Sequence, residues 1–265
     1  MSLVDIVEKV KSGVVHIIHT INEARVSSGT GFMVEGLLVT NYHVACIPPT
    51  DSVVVIRTIN SSPDQLLDGI YMTNHDFLKR TKTASDERNY DYIVLDIPEL
   101  SEPKIYNFDI SNYSYLGKRI GDDIFFLGYL FEHLNLVCHS GIISSFYKSK
   151  NIDVIQVDAS VNHSNSGGPL IDPETGKVIG IVTRNGTGLT QGFESFRSIL
   201  KQNIEILSNS GVRMVIDSLD FAQGMIVSQN QMLGMTYELE RSANFGIGYA
   251  FSVKELINDY FFEKF

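Results

Sequence analysis

Short apolar runs of strand length, each closed by turn residues, recur in two successive groups along this chain. The first group holds Val14–Ile21, residues 30–34, Leu37–Thr40, residues 52–59, a weaker run at Ile70–Thr73 and a run that opens at Asp91. The second holds residues 123–130, 136–147, 153–157, 169–171, 178–184 and 247–253. β-Branched and aromatic residues dominate these runs, and such side chains fit a pleated, partly buried surface. Glu35-Gly36 reads as a hairpin turn, and Asp172-Pro173-Glu174-Thr175-Gly176-Lys177 as a longer connection. The pattern predicts a mainly β chain of the barrel or sandwich kind. Residues 60–89, apart from the weak strand, are polar and read as a long exposed loop.

Helical spacing is confined to three places. Ser2 and Asp5 form a capping-box pattern, and Leu3, Ile6, Val7 and Val10 continue it as a short opening helix. Beyond Gly192, Phe193, Phe196, Leu200, Ile204 and Leu207 make one stripe, and Val215, Leu219, Ala222 and Ile226 a second. Residues 191–243 therefore read as a helical insertion. A helical pair packed on the β core is one reading. An adaptable partner-binding surface is the other, because Met214, Met225, Met232 and Met235 fall here and unbranched Met repacks against varied shapes. Residues 254–265 read as a closing amphipathic helix. His16 and His19 fall on opposite faces of the first strand and are expected to be partly exposed, without a ligand role.

A length of 265 residues suits one large β domain or two small ones. The formal net charge of −10, from 31 acids against 21 Lys and Arg, argues against nucleic acid or an anionic membrane as the main partner. No run approaches the length of a membrane span, and Asp5 and Glu8 interrupt the apolar residues of the N-terminus, unlike a secretory leader. The two cysteines, Cys46 and Cys138, form no disulfide framework. A soluble cytoplasmic protein with reduced thiols is expected, although a single Cys46–Cys138 bridge stays open. Pairing His43 and Cys46 with Cys138 and His139 as metal ligands lacks a ligand-type spacing. No metal and no cofactor is expected.

Residues 161–170, Val-Asn-His-Ser-Asn-Ser-Gly-Gly-Pro-Leu, place one serine in a glycine-bordered turn between two apolar runs. His43 follows an apolar strand where it enters a loop, and Asp91 begins another. A nucleophile needs a base for its proton, and the base needs an acid to fix its tautomer and stabilise its charge. Ser166, His43 and Asp91 are those residue types in suitable settings. A Ser/Gly β-turn and a loop histidine bonded to backbone are the plainer readings, and spacing alone does not bring the three together.

These segments resemble a known family. Ser28-Gly29-Thr30-Gly31-Phe32 followed by Leu38-Val39-Thr40-Asn41-Tyr42-His43-Val44 is similar to the histidine region of the HtrA/Deg group of trypsin-like serine proteases. Asp91-Tyr92-Ile93-Val94-Leu95 resembles that group's aspartate strand, and residues 156–170 its nucleophile segment. Val178-Ile179-Gly180-Ile181 and residues 246–251 resemble the strands that follow. The resemblance covers most of residues 1–190 and 244–260. It implies two antiparallel six-stranded β-barrels, an N-terminal one over about 14–98 and a C-terminal one over about 118–253, with the active site between them. It further implies a protein or peptide substrate cleaved through an acyl-enzyme. As a departure from the family, no PDZ-like domain is expected to follow, because the chain ends soon after the last barrel strand.

By the same resemblance, the backbone N–H groups of Ser164 and Ser166 would form the oxyanion hole. Ser160 would lie at the base of the primary pocket, and Thr183, Arg184 and Asn185 would form a pocket wall that pairs with substrate backbone. The chain departs from the family at Ser164, where glycine is usual, and at His163, where the HtrA-like pattern has proline. Serine adopts a glycine-only conformation less readily, and losing one oxyanion donor typically costs about 10²–10³ in rate. His163 would border the substrate cleft. Ser160 is small and neutral, so uncharged side chains are the expected preference. A latent or inactive protease-like binding module is the alternative function, and residues 191–243 are the expected surface for self-assembly or a regulatory protein.

Overall fold

The computed structural model describes residues 2–47, 51–59, 69–110, 117–130, 134–149, 151–183, 188–209, 215–216, 219–242 and 246–258. Helix α1, Leu3–Val10, opens the chain as the capping pattern predicts. Ser2 Oγ accepts from the Asp5 N–H at 3.2 Å, the Asp5 carboxylate accepts from the Ser2 N–H at 3.0 Å, and the helix buries Ile6 and Val10.

The next elements are β1 (Val14–Ile21), β2 (Ala24–Val34), β3 (Leu37–Thr40), α2 (Tyr42–Ala45), β4 (Val53–Arg57), β5 (Ile70–Thr73), α3 (Asn74–Lys79), β6 (Thr81–Ser85) and β7 (Tyr92–Leu95). Glu35 and Gly36 turn the β2–β3 hairpin with φ values of 50° and 81°, the backbone that a two-residue hairpin turn demands. The strands form one seven-stranded sheet in the order β5-β4-β1-β2-β3-β7-β6. This half is therefore an open sheet with one strand more than the expected six-stranded barrel. Its edges, β5 and β6, do not pair. The helix α3 runs between them, capped by the Thr73 hydroxyl, and sends Phe77 into the core. The exposed loop expected over residues 74–85 is thus a capped helix and an edge strand.

The second half contains β8 (Asp123–Tyr129), β9 (Leu136–Ser149), β10 (Ile152–Asp158), β11 (Pro169–Ile171) and β12 (Val178–Thr183). They close with β15 (Ile247–Ser252) into a six-stranded barrel in the order β10-β15-β12-β11-β8-β9, as expected. In the β11–β12 turn, Asp172 accepts from the Thr175 hydroxyl at 2.7 Å and pairs with Lys118 Nζ at 2.7 Å. Burial alone would raise this carboxyl. The bonds from Lys118, Thr175 and the Glu174 N–H outweigh it and hold Asp172 below the usual carboxylate range.

Residues 185–245 form a compact unit of their own. It contains α4 (Gly188–Asn209), a ladder of β13 (Val215–Ile216) and β14 (Leu219–Asp220), and α5 (Phe221–Ser242). The helical stripe read from Val215 begins instead at Phe221, because Val215 pairs with Asp220 and Ile216 with Leu219 in the ladder. Within this unit the Arg197 guanidinium lies 4.7 Å from the centre of the Tyr237 ring, joining α4 to α5. Met225, Met232 and Met235 are exposed, and Met214 lies outside the described residues. The chain then returns through β15 (Ile247–Ser252) to α6 (Lys254–Asn258), and the remainder of the expected closing helix, 259–265, lies outside the described residues.

Three buried clusters hold the β unit together. One fills the N-terminal sheet around Ile17, Leu38, Phe77 and Ile93, and one fills the barrel around Phe126, Ile155 and Leu170. The third joins the two halves: Phe32 and Val94 of the sheet meet Phe125, Leu127 and Ile181 of the barrel, with Ile6 of α1 and Leu256 of α6. Fully burying each such side chain contributes about 1.5–3 kcal/mol. This shared layer packs β3 and β7 against β8, β11 and β12.

Candidate active site

The strand β3 ends in Thr40, and the short helix α2 then carries His43 at the junction of the two halves. Asn41, at the N-cap of α2, does not cap it. Its side-chain amide donates to the Asp91 carbonyl at 2.7 Å, tying α2 to the turn before β7. Asp91 itself has a φ of 47°, a left-handed conformation that Asp adopts more readily than most residues. This aims its carboxylate at α2. Asp91 Oδ1 accepts from the His43 N–H at 3.1 Å, and Oδ2 lies 2.7 Å from His43 Nδ1. The Thr183 hydroxyl, at the end of β12 in the other half, donates to the same Oδ2 at 3.2 Å.

This arrangement assigns the imidazole: Nδ1–H points at Asp91, which leaves Nε2 as the acceptor. Asp91 is buried and the His43 side chain is 28% exposed, so the acid is shielded and the base is reachable. Thr183 has a side-chain role beyond the substrate wall expected of this segment. It is buried, and its hydroxyl is spent on Asp91.

The nucleophile segment reaches the same corner through backbone. Thr30 N–H donates to the Ser166 carbonyl at 2.9 Å, and Gly167 N–H donates to the Val182 carbonyl at 2.8 Å. Gly167 has a φ of 87°, and a Cβ there would stand 2.1 Å from the Thr30 carbonyl oxygen, 2.2 Å from Thr40 Oγ1 and 3.1 Å from the Asn41 nitrogen. Only glycine fits, and the chain therefore runs directly against the base of the His43 helix. Ser166 is fully buried, and its hydroxyl has no hydrogen-bond partner among the described residues. His43 and Ser166 are brought to one corner without a hydrogen bond between them.

The turn before Ser166 is helical. Residues His163–Asn165 form one turn of 3-10 helix, closed by the Asn165 N–H donating to the Asn162 carbonyl at 3.0 Å. Ser164 is not among the residues with positive φ. An anion-binding nest needs backbone that alternates between right- and left-handed conformations, and a continuous helical turn lacks that alternation. Ser160 is half-buried just after β10. The side chain of His163, and Arg184 and Asn185 altogether, lie outside the described residues.

Two residues that sequence reasoning set aside support the site. His16 and His19, expected to be partly exposed, are both fully buried, because β1 is a central strand covered on both faces. His19 Nε2 lies 3.0 Å from the Val44 carbonyl in α2, one residue beyond His43. Burial pushes its imidazole down to about 4, partly offset by that bond. The signal was present in Val14, Val15, Ile17 and Ile18, which put apolar side chains on both faces of the strand.

An open sheet joined to a closed barrel, with an Asp–His pair on one side of the junction and a serine turn on the other, defines a trypsin-like arrangement. The family model described as "Trypsin-like peptidase domain" matches residues 29–181, and the chain belongs to that family. The relatives are of the HtrA/Deg type. A probable periplasmic serine endoprotease, DegP-like, of Rickettsia conorii is 31% identical over 198 residues, covering 69% of this chain and 34% of that protein. Serine protease HTRA1A of Danio rerio is 29% identical over 204 residues, covering 68% and 36%. The chain thus matches about a third of the length of these relatives. Among solved structures, Deg5 shows 25% identity and a TM-score of 0.50 over 69% of this chain and 84% of that one. The HtrA-type protease AlgW with a decapeptide shares the fold, with a TM-score of 0.54 at 18% identity over 97% of this chain and 66% of that one.

Proposed function

We propose that the chain is a serine endopeptidase that cleaves proteins or peptides through an acyl-enzyme on Ser166. The observation that carries this reading is the Asp91 carboxylate, which holds the His43 imidazole through Nδ1 while Thr183 and Asn41 hold Asp91. Ser166 Oγ attacks the scissile carbonyl carbon, and His43 Nε2 takes its proton. The tetrahedral intermediate collapses as His43 returns that proton to the leaving amine. Water then attacks the ester by the same proton path, releasing the acid and restoring the hydroxyl. The Ser164 and Ser166 N–H groups stabilise the oxyanion once the turn has opened. Labelling with a fluorophosphonate probe tests this: wild type is expected to label, and Ser166→Ala is not. Labelling that persists in Ser166→Ala overturns the assignment.

The small, neutral Ser160 supports a preference for uncharged side chains at the cleaved residue, with His163, Arg184 and Asn185 bordering the substrate. A peptide library read out by mass spectrometry checks it, and cleavage strictly after Lys or Arg would sink it. A second reading, a protease-like binding module, is favoured by the helical turn at Ser164 and the unbonded Ser166 hydroxyl. The exposed Phe196, Ile199, Met225 and Met235 support residues 191–243 as a surface for a second copy or a regulatory protein. Deleting that segment and finding oligomer size and activity unchanged would remove this role. The free thiols of Cys46 and Cys138 support a reducing compartment, which cell fractionation tests.

A further inference from the structure

Ser164 is held by side chains as well as by its own turn. The Ser28 hydroxyl in β2 donates to Ser164 Oγ at 2.8 Å, and the Thr30 hydroxyl donates to the Ser164 carbonyl at 2.7 Å. Behind Ser28 stands His16, whose Nε2 lies 3.1 Å from Ser28 Oγ. With the Ser28 proton spent on Ser164, His16 must donate through Nε2–H. The His16 ring is fixed by stacking on Tyr129, centre to centre 4.4 Å and 3° from parallel. The Tyr129 backbone N–H in turn donates to Thr30 Oγ1 at 3.0 Å. The turn before the nucleophile is thus gripped by two hydroxyls from Ser28-Gly29-Thr30 and backed by a buried histidine. A glycine at 164 would leave the Ser28 hydroxyl nothing to grip.

We propose that Ser28 and Ser164 form a hydroxyl latch, backed by His16, that holds the turn before Ser166 in its helical form and must release before that turn can receive an oxyanion. The proposal rests on Ser166 being the nucleophile. Ser28, Ser164 and His16 act as positioning residues, because they act through the Ser164 backbone. Release requires Ser164 to leave right-handed backbone, a change a serine resists and glycine does not. The latch is indifferent to ordinary changes of pH: burial and the charges of Arg25 and Arg57 push the His16 imidazole down to about 3, so it stays neutral.

The test is the rate at which a fluorophosphonate labels Ser166, split into a maximal rate and a half-saturating concentration. Ser28→Ala is expected to raise the maximal rate roughly fivefold, the worth of one hydrogen bond, with half-saturation unchanged. Ser164→Gly is expected to raise it roughly tenfold. Ser28→Thr, which keeps a hydroxyl, is expected to label at the wild-type rate. Adding Ser28→Ala to Ser164→Gly is expected to change nothing more, because the latch is already gone. Unfolding temperatures confirm that each variant is folded. An unchanged or lower maximal rate in Ser28→Ala, or effects that multiply in the double variant, overturns the latch while Ser166 stands as nucleophile. Labelling that persists in Ser166→Ala, or none in any variant, overturns the reading on which the latch rests.

Discussion

Around Asp91 each carboxylate oxygen has a donor, whereas the hydroxyl of Ser166 has none among the described residues. The two sides of the site are built by different means. The acid–base side is wired by side chains from both halves of the fold, so the imidazole has its tautomer and direction before any substrate arrives. Such preorganised groups need no rearrangement when charge develops. The nucleophile side is placed by backbone, through Thr30, Val182 and the close approach of Gly167. Its neighbouring turn is held in a form without an anion nest. The comparison teaches that position and readiness are separate properties: Ser166 is in place, but the donors beside it are not.

The largest effect that can break this comparison is loss of the nucleophile. Ser166→Ala is expected to lower kcat for hydrolysis of a labelled protein substrate by about 10⁶. Next comes the acid. Asp91→Asn is expected to lower kcat by about 10⁴, since the amide favours the wrong imidazole tautomer. Thr183→Val is a finer probe. Removing a hydroxyl bonded to a carboxylate is expected to lower kcat by roughly tenfold with KM unchanged. A change in KM at constant kcat would contradict this role for the hydroxyl.

A further effect concerns stability. Burial pushes His16 to about 3 and His19 to about 4, so both stay neutral in the fold while the unfolded chain protonates them below their ordinary value near 6.5. Their contribution is full above that value and is lost as pH falls toward 4 and below. Urea unfolding is therefore expected to show stability falling by roughly 2 kcal/mol per histidine between pH 7.5 and pH 5. His16→Gln should remove its share of that slope, and an unchanged slope would contradict the burial argument.

Ser166, His43 and Asp91 stood out in the sequence because each lies in a segment that resembles a known family, and His43 and Asp91 meet at 2.7 Å. The barrel strands were legible because their apolar runs are short and bounded by turns. What escaped reading depends on neighbours far along the chain. His16 and His19 lie in a strand whose both faces are covered, although a polar ring within a strand reads as a solvent-facing residue. The helix α3 and the edge strand β6 are polar because one side of each meets solvent. Thr183 takes its role from Asp91, 92 residues away in sequence, and no local pattern carries that. The grip of Ser28 on Ser164 spans 136 residues and was equally invisible.

The contrast between the two sides is tested most directly by a crystal structure of Ser166 bearing a phosphonate from the probe, set beside the unlabelled protein. The His43 Nδ1 to Asp91 Oδ2 distance is predicted to stay near its present 2.7 Å. The Ser28–Ser164 hydroxyl bond, now 2.8 Å, is predicted to be broken, with the Ser164 N–H turned to the phosphonyl oxygen. A bound phosphonyl oxygen with the helical turn and that bond intact, or His43 drawn away from Asp91, would contradict the account.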